Sequence, residues 1–221
     1  RYPGVNLELD YAGKQLYLHN RRNPEETTKV TIFIAALTYS DYFYAEGMTE
    51  CDIRNWIRVN NNALAYFGGI TPTVTPDNCK VAVAKNKDWI NPILNKDFQA
   101  WAEHNDTVLT PAKVKAPRWK PVVEGHVKIV TMHILVDMED MTFYSLDDLN
   151  RVLMEKVNEE NRKPFEGLTY SRYDLFTTEE KESLLPLPSN RFEYLERKIV
   201  KVAQDFSFTF HTVHYSMQRK Y

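Results

Sequence analysis

One run of residues, 29–37 (KVTIFIAAL), narrows the folds open to this chain more than any other feature. The run is almost continuously apolar and rich in β-branched side chains, which is typical of a strand buried on both faces of a sheet. Alternating patterns at 5–11 and 15–19 precede it, and the turn-like Ala12-Gly13-Lys14 between them predicts a hairpin. A short strand pattern at 42–46 follows, and helical and extended patterns then alternate. The sequence therefore predicts an α/β domain.

Helical periodicity recurs after these strands. Apolar residues from Ile53 to Phe67 fall on one stripe, with Thr49 as the predicted cap and Gly68-Gly69 as the end. Asn91 and Pro92 predict the start of a second helix. A long third helix is predicted at 119–138, and Ser145 is expected to cap a fourth that reaches about residue 161.

The pattern changes again after residue 163. A short helix is predicted at 171–185, a stiff Pro-Leu-Pro linker at 186–188, and a small β unit from residue 191 onward. We therefore predict an α/β domain at 1–140, a helical connector at 141–188 and a small, truncated β domain at 189–221. Because the chain starts at Arg1 and stops at Tyr221 just after an alternating run, we expect it to be part of a longer protein.

Composition excludes some classes of protein. The chain is 43% hydrophobic and 26% charged, as in folded soluble proteins, and no stretch approaches the ~20 apolar residues of a membrane span. Two cysteines, Cys51 and Cys79, are predicted to be inert thiols in a reducing compartment. The net charge of −2 argues against a nucleic-acid partner. Its distribution argues the other way, because residues 111–120 carry four cations and no acid: Lys113, Lys115, Arg118 and Lys120.

Three acidic residues occupy positions that suit a metal centre. Asp10 lies on the polar side of the first strand, Asp77 follows the end of a later strand, and Glu124 lies one turn into a helix behind the basic loop. Carboxylate oxygens are the ligands that Mg²⁺ prefers, and two such ions can promote displacement at phosphorus. Lys120 and Lys128, four residues either side of Glu124, share its helix face. With 30 acidic residues in the chain, however, spacing alone does not establish a site.

Other candidate residues are better explained by ordinary roles. His211 and His214 face opposite ways on an alternating strand, so they do not form a zinc site. His126 and His133 share a helix face near Glu124. The simpler interpretation is that they pack in the core or lie at the surface, and the alternative is that they contact DNA. Glu8 shares the face of Asp10 and is either an accessory ligand or a solvated strand residue.

A resemblance along the whole chain adds what spacing cannot. The segments that carry it are 9–14 (LDYAGK), 67–70 (FGGI) with 76–78 (PDN), and 115–118 (KAPR) with 123–125 (VEG) and 127–130 (VKIV), followed in order by 161–165 (NRKPF), 171–172 (SR), 175–176 (LF) and 185–188 (LPLP). Together they resemble the IstA-type insertion-sequence transposases, relatives of DDE transposases and retroviral integrases. In place of that family's Lys-x-Lys-Val-Glu-like run, this chain has KPVVE at 120–124. Proline and valine thus replace polar positions at one expected phosphate contact.

The resemblance implies a fold, a site and partners. It implies an RNase H-like, retroviral integrase-like mixed sheet flanked by helices, followed by the helical connector and a small β-barrel. Asp10, Asp77 and Glu124 would be catalytic and hold two Mg²⁺ ions, or Mn²⁺, while Lys113, Lys115, Arg118, Lys120 and Lys128 contact DNA. The implied partners are transposon-end and target DNA, further copies of the chain and an AAA+ ATPase of the IstB type, in a bacterial cytoplasm at the nucleoid and without a membrane.

Three functions follow as hypotheses. The first is a transposase core that cleaves the element's ends and joins the 3′ hydroxyl to target DNA. The second is a DNA-binding or assembly module without catalysis of its own. The third is a related RNase H-type nuclease, which shares the metal site and lacks strand transfer.

Overall fold

The computed structural model of the chain describes residues 2–76, 95–110, 124–196, 200–210 and 212–216, with the side chains of 124–130 left out. Six strands in this part form one sheet: β1 (Asn6–Tyr11), β2 (Leu16–His19), β3 (Thr27–Leu37), β4 (Phe43–Met48), β5 (Thr73–Pro76) and β6 (Val108–Leu109). The strands predicted from the alternating and apolar runs are thereby confirmed. No helix in the described ranges is long and apolar enough to cross a membrane.

The sheet is mixed, and the long strand β3 is at its centre. β1 and β2 both pair antiparallel with β3, and β4 pairs antiparallel with its other side. The predicted hairpin between the first two strands is therefore wrong. The turn at 12–15 interrupts the pairing along one edge of β3, and the Ala12 N–H there still donates to the carbonyl oxygen of Ile32 at 2.9 Å. β5 then pairs parallel with β1, and β6 parallel with β5.

One face of the sheet is covered by α1 (Ile53–Phe67) and α2 (Lys96–His104). Trp56, Phe67, Phe98 and Trp101 are buried there against the leucines of β1, as the apolar stripes predict. The caps are not the predicted residues. Asp52, not Thr49, accepts the Asn55 N–H at the start of α1, and Asn95 caps α2 where Asn91 was expected; Asn91 lies outside the described residues. Gly68 ends α1 at φ 73°, a conformation that costs glycine little.

The opposite face is covered by α3 (Glu124–Glu139) and α4 (Leu146–Arg162). Leu135 and Met138 of α3 and Leu149, Leu153 and Val157 of α4 bury their side chains against β3 and β4. Ser145 caps α4 by accepting the Asp148 N–H, as predicted. Because α4 packs on the same core as the sheet, the helical region after residue 140 is part of the layered structure, and the boundary at 140 stays a prediction.

Residues after α4 return to the α1 face. A single turn of α-helix, α5 (Arg172–Leu175), leads into one turn of π-helix at Phe176–Glu180 and one turn of 3₁₀-helix at Lys181–Ser183. The extended segment 190–196 then lies along α1 and α2, where the Asn61 Nδ2 donates to the Phe192 carbonyl at 2.9 Å. A two-stranded hairpin follows, β7 (Ser207–Phe210) and β8 (Val213–Ser216). The predicted β-barrel is not shown by these strands.

The outer edge of β4 is closed by asparagines of α4. The Asn161 Oδ1 accepts the Phe43 N–H at 3.3 Å, and its Nδ2 donates to the Phe43 carbonyl at 2.8 Å. Asn150 does the same at Gly47, with distances of 2.6 and 3.1 Å. Each amide thus takes the place of a neighbouring strand's peptide group, so the buried backbone N–H and carbonyl groups of Phe43 and Gly47 have hydrogen-bond partners at this edge.

We expect Asn161→Leu to lower the free energy of unfolding by about 2–3 kcal/mol, because leucine is similar in volume and leaves the buried amide and carbonyl of Phe43 without partners. Urea unfolding monitored by circular dichroism measures the change. Asn158→Leu on the same helix is the matched control, since the Asn158 side chain is half-buried and, among the described contacts, accepts a hydrogen bond only from the Tyr66 hydroxyl, at 2.9 Å. Equal destabilisation by the two variants would contradict the edge-closing role.

Candidate active site

The alternation of β1 separates an apolar from a polar face. Leu7 and Leu9 are buried among α1 and α2, whereas Asn6, Glu8 and Asp10 point to the other side and are half-buried. Asp10 is the register partner of Ile34, which belongs to the core under α3 and α4. Asp10 therefore lies on the sheet face that the predicted glutamate helix covers.

Asp10 has a defined local geometry. Its Oδ1 accepts the N–H of Tyr11 at 2.8 Å, which fixes the carboxylate at the end of β1. Four residues on, the Lys14 ammonium forms an ion pair with Glu139 at the carboxyl end of α3. The turn after Asp10 is thus attached directly to α3.

The neighbouring strand β5 runs parallel to β1 and is described as far as Pro76, opposite Leu9. Asn6 pairs with Thr73, and the parallel register runs to Leu9 with Pro76. Asp77 is the next residue in the sequence and lies outside the described residues, so its relation to Asp10 is not observed. What the structure does describe is the strand that leads to Asp77 and its register on β1.

A layer of hydroxyl and amide groups lies on the same face below Asp10. The Asn6 Oδ1 accepts hydrogen bonds from the hydroxyls of Thr73 at 2.9 Å and Thr75 at 3.0 Å. The Thr75 hydroxyl is also 2.8 Å from the hydroxyl of Thr110, the residue that follows β6. Sequence reasoning missed this layer, although the alternating threonines at 71, 73 and 75 were a signal that one face of β5 is polar.

The remaining predicted site residues are described only in part. Glu124 is the first residue of α3, and Lys128 follows one turn later, but their side chains lie outside the described part. The same holds for the whole of Lys113, Lys115, Arg118 and Lys120. Among the side chains that are described, no three from His, Cys, Asp or Glu come together as metal ligands. Of the three predicted ligands, Asp10 is the one whose side chain is described.

Other candidates have ordinary surroundings. His133 is exposed on α3, and the His214 Nδ1 is 3.1 Å from the Thr209 hydroxyl on the exposed hairpin, while His211 lies outside the described residues. Burial raises the pKa of the Cys51 thiol, which disfavours the reactive thiolate and agrees with an inert cysteine.

The layered arrangement defines the class of fold. It is similar to the HTLV-2 integrase catalytic core domain solved in complex with magnesium (trimeric form), with a TM-score of 0.53, 11% identity, and coverage of 78% of this chain and 95% of that one. It is also similar to a chain of the simian T-cell lymphotropic virus intasome in complex with PP2A regulatory subunit B56 gamma, with a TM-score of 0.57, 15% identity, and coverage of 96% and 65%. The predicted RNase H-like, mixed sheet flanked by helices is thus confirmed as the fold.

Sequence comparison finds similarity to proteins that are named as transposases. The chain is 36% identical over 217 residues to the transposase candidate y4bL/y4kJ/y4tB of Sinorhizobium fredii, covering 98% of this chain and 42% of that protein. It is 33% identical over 206 residues to the transposase candidate of insertion sequence IS1162 of Pseudomonas fluorescens, covering 92% and 36%. The transposase of IS21 of Pseudomonas aeruginosa is 26% identical over 193 residues, with 86% and 47% covered. No protein-family model matches the chain.

These relatives are longer proteins. The chain spans less than half the length of each of the three. The similarity runs through nearly the whole chain, so it applies to the sheet, its helices and the following segment alike. We therefore extend the activity of the complete relatives to this chain only as a proposal.

Proposed function

We propose that this chain is the catalytic core of an IstA-type insertion-sequence transposase that cleaves DNA at the element's ends and transfers the 3′ hydroxyl into target DNA. One observation carries the proposal: the parallel pairing of β1 with β5 reaches Leu9 and Pro76. The proposal continues that register by one residue, which would make Asp10 and Asp77 neighbours on the same face. Two carboxylates side by side at the ends of parallel strands are a suitable start for a divalent-cation site.

The donor set fits magnesium. Asp10 supplies a carboxylate on the face covered by α3, and Glu124 begins that helix. In the proposal Asp10, Asp77 and Glu124 hold two Mg²⁺ ions, with Mn²⁺ as a substitute. Bound ions supply a Lewis acid for the phosphodiester and activate the attacking water or 3′ hydroxyl. The magnesium in the similar HTLV-2 integrase core supports a divalent cation for this fold.

The protein's own groups position the DNA. Lys113, Lys115, Arg118, Lys120 and Lys128 neutralise backbone phosphates, contacts that orient the duplex without reading its sequence. In the proposal the acidic and basic residues act on the Asp10 face of the sheet, because the other face is buried under α1 and α2. The proposed catalytic site is therefore on this face of the sheet.

Partners are proposed from the named relatives. Their names identify transposases, and the intasome to which the chain is similar in fold is an assembly. We accordingly propose transposon-end DNA, target DNA, further copies of the chain on DNA and an IstB-type AAA+ ATPase as partners. The division into a catalytic domain at 1–140, a connector at 141–188 and a small β-barrel domain at 189–221 belongs to the same proposal.

Calorimetric titration of Mg²⁺ and Mn²⁺ into the chain tests the metal site. Wild type is expected to bind and Asp77→Asn to lose binding, because the amide removes one anionic ligand from the site. Asp106→Asn is the matched control: Asp106 has φ 54°, which asparagine also tolerates, and it precedes β6 at the other end of the sheet. Binding that survives Asp77→Asn would overturn the assignment, and absence of binding in the wild type would favour the assembly-module hypothesis.

A further inference from the structure

The turn between β2 and β3 projects past the part of the sheet that carries Asp10. β2 runs parallel to β1, because both strands pair antiparallel with β3. Asp10 is opposite Ile34 in that register. His19, the last residue of β2, is opposite Thr27, which is seven residues earlier in β3 and thus roughly 23 Å away along an extended strand. The turn at 20–26 therefore lies beyond Asp10 in the direction in which β1 runs.

Hydrogen bonds within this turn hold its backbone in place. The Asn20 N–H donates to the Glu26 carbonyl at 3.1 Å, and the Glu26 N–H donates to the Asn23 carbonyl at 3.0 Å. The Asn20 side chain is used twice: its Oδ1 accepts the Arg22 N–H at 2.9 Å, and its Nδ2 donates to the Glu26 carboxylate at 2.8 Å. The turn thus presents Arg21 and Arg22 on a backbone that its own contacts fix.

The Arg21 side chain is held over an aromatic ring. Its guanidinium carbon is 4.9 Å from the centroid of the half-exposed Tyr144 ring. Phe143, the residue before that tyrosine, is buried, and its carbonyl accepts the His19 N–H at 2.8 Å. Ser145, the residue after it, caps α4. Since a free arginine has about 2 kcal/mol of rotamer entropy to lose on binding, a side chain already held in this way is partly preorganised for a ligand.

The two arginines of the turn are not neutralised by carboxylates. In the part of the chain that the structure describes, their exposed guanidinium groups have neither an ion pair nor a hydrogen bond. Arg151 on α4 shows the contrast, because its guanidinium bonds Asp148 at 2.7 Å and Glu155 at 2.8 Å. A planar guanidinium with its N–H donors available matches two oxygens of a phosphate group.

The acids of the turn leave its charge positive. Residues 19–29 contain the two arginines and Lys29 against Glu25 and Glu26. Glu26 is engaged by the Asn20 amide, and among the described residues neither acid forms an ion pair. Lys29 is exposed and is the register partner of Tyr17, which is exposed as well. Charge complementarity therefore favours an anionic partner at this turn.

We propose that the β2–β3 turn binds the phosphate backbone of duplex DNA through Arg21 and Arg22, with Tyr144 as the positioning residue for Arg21. The inference rests on the proposed function, because the contact lies on the DNA that Asp10 would cleave. Each strand of a duplex has one phosphate per ~3.4 Å, so roughly 23 Å from Asp10 corresponds to about seven base pairs. Such a contact orients the duplex without reading its sequence.

Fluorescence anisotropy of a labelled DNA duplex, titrated with the chain in EDTA at a series of salt concentrations, tests the contact. Arg21→Gln is expected to weaken binding about five- to tenfold at low salt, because a charge-assisted phosphate contact is lost. The dependence of log Kd on log salt is expected to become less steep by about one. Arg151→Gln makes the same change of charge at a guanidinium that carboxylates already occupy, so a Kd within about twofold of wild type is expected.

Variants of Tyr144 separate positioning from charge. Tyr144→Leu keeps the Arg21 charge and removes the ring, so we expect Kd to rise about two- to fivefold with the salt dependence of the wild type. Tyr144→Phe keeps an aromatic ring and is expected to bind like the wild type. A wild-type Kd in Tyr144→Leu would overturn the positioning role of the ring.

The contact itself can be contradicted in two ways. Unchanged duplex affinity in Arg21→Gln would exclude it, and equal loss in Arg21→Gln and Arg151→Gln would show an effect of net charge alone. Plasmid nicking by Asp10→Asn, assayed in parallel, tests the proposed function: lost cleavage together with wild-type duplex affinity in Arg21→Gln would overturn the inference alone. Retained cleavage in Asp10→Asn would overturn the metal site and leave a measured Arg21 contact standing. Absence of duplex binding by the wild type would overturn both.

Discussion

Replacing Asp10 with asparagine is expected to abolish metal-dependent DNA cleavage while the fold is retained. The Asp10 Oδ1 accepts the Tyr11 N–H at 2.8 Å, and asparagine keeps that oxygen. The variant loses the negative charge that would hold a hard cation at the proposed site. Cation chemistry contributes several kcal/mol at the transition state, and each ~1.4 kcal/mol is tenfold in rate, so we expect a loss of about a thousandfold or more. Nicking of supercoiled plasmid DNA with Mg²⁺ or Mn²⁺ measures it.

Asp52→Asn is the matched control for this experiment. The Asp52 Oδ1 likewise accepts a backbone N–H at 2.8 Å, that of Asn55, and asparagine is an equally good helix cap. The two variants thus make the same chemical change in the same kind of local contact, one at the proposed site and one away from it. Cleavage that persists in Asp10→Asn, or that is lost equally in Asp52→Asn, would count against Asp10 as a metal ligand.

The largest effect on stability is expected from Glu180→Ala. Glu180 is fully buried, and its two carboxylate oxygens accept the N–H of Gly4 at 3.1 Å and of Ser40 at 3.2 Å. One side chain thus joins the start of the chain, the turn between β3 and β4, and the segment after α5. Alanine leaves two buried amides without these acceptors, at about 1–3 kcal/mol each. We expect a loss of about 4 kcal/mol and a fall in Tm on the order of 10 °C.

Neighbouring variants make the Glu180 experiment specific. Glu179→Ala removes an exposed carboxylate that bonds the Tyr39 hydroxyl, and a surface change of this kind costs about 0.5 kcal/mol. Glu180→Gln keeps the shape but turns an NH₂ group toward one of the two amides, so intermediate destabilisation is expected. Thermal and urea unfolding of the three variants give the order. Equal stability of Glu180→Ala and Glu179→Ala would contradict the buried contact.

Local patterns predicted the elements of this fold better than their connections. The apolar run of β3 and the stripe of α1 depend on side-chain periodicity, and both are as expected. The predicted hairpin was wrong because β1 and β2 each pair with β3 and not with each other, and a turn-like sequence does not reveal that choice. The cap of α1 is Asp52 and not the predicted Thr49, since which oxygen reaches the first amides depends on how the chain enters the helix.

The sequence likewise predicted one part of the candidate site and missed another. The polar face of Asp10 follows from strand alternation, and the structure has it so. The bonds of Asn6 to Thr73 and Thr75 join residues more than 65 positions apart, and only the parallel register brings them together. Burial of Glu180 was equally hidden, because an acidic residue in a short helical segment is ordinarily solvated.

Closure of the β4 edge by Asn150 and Asn161 also limits how copies of the chain can meet. An incoming strand would have to displace four hydrogen bonds, two at Phe43 and two at Gly47, and move α4 off the core it shares with the sheet. β-augmentation at this edge, the route by which exposed strands recruit peptides or grow into fibrils, is therefore strongly disfavoured. A multimer of this chain would keep its sheets discontinuous across that boundary.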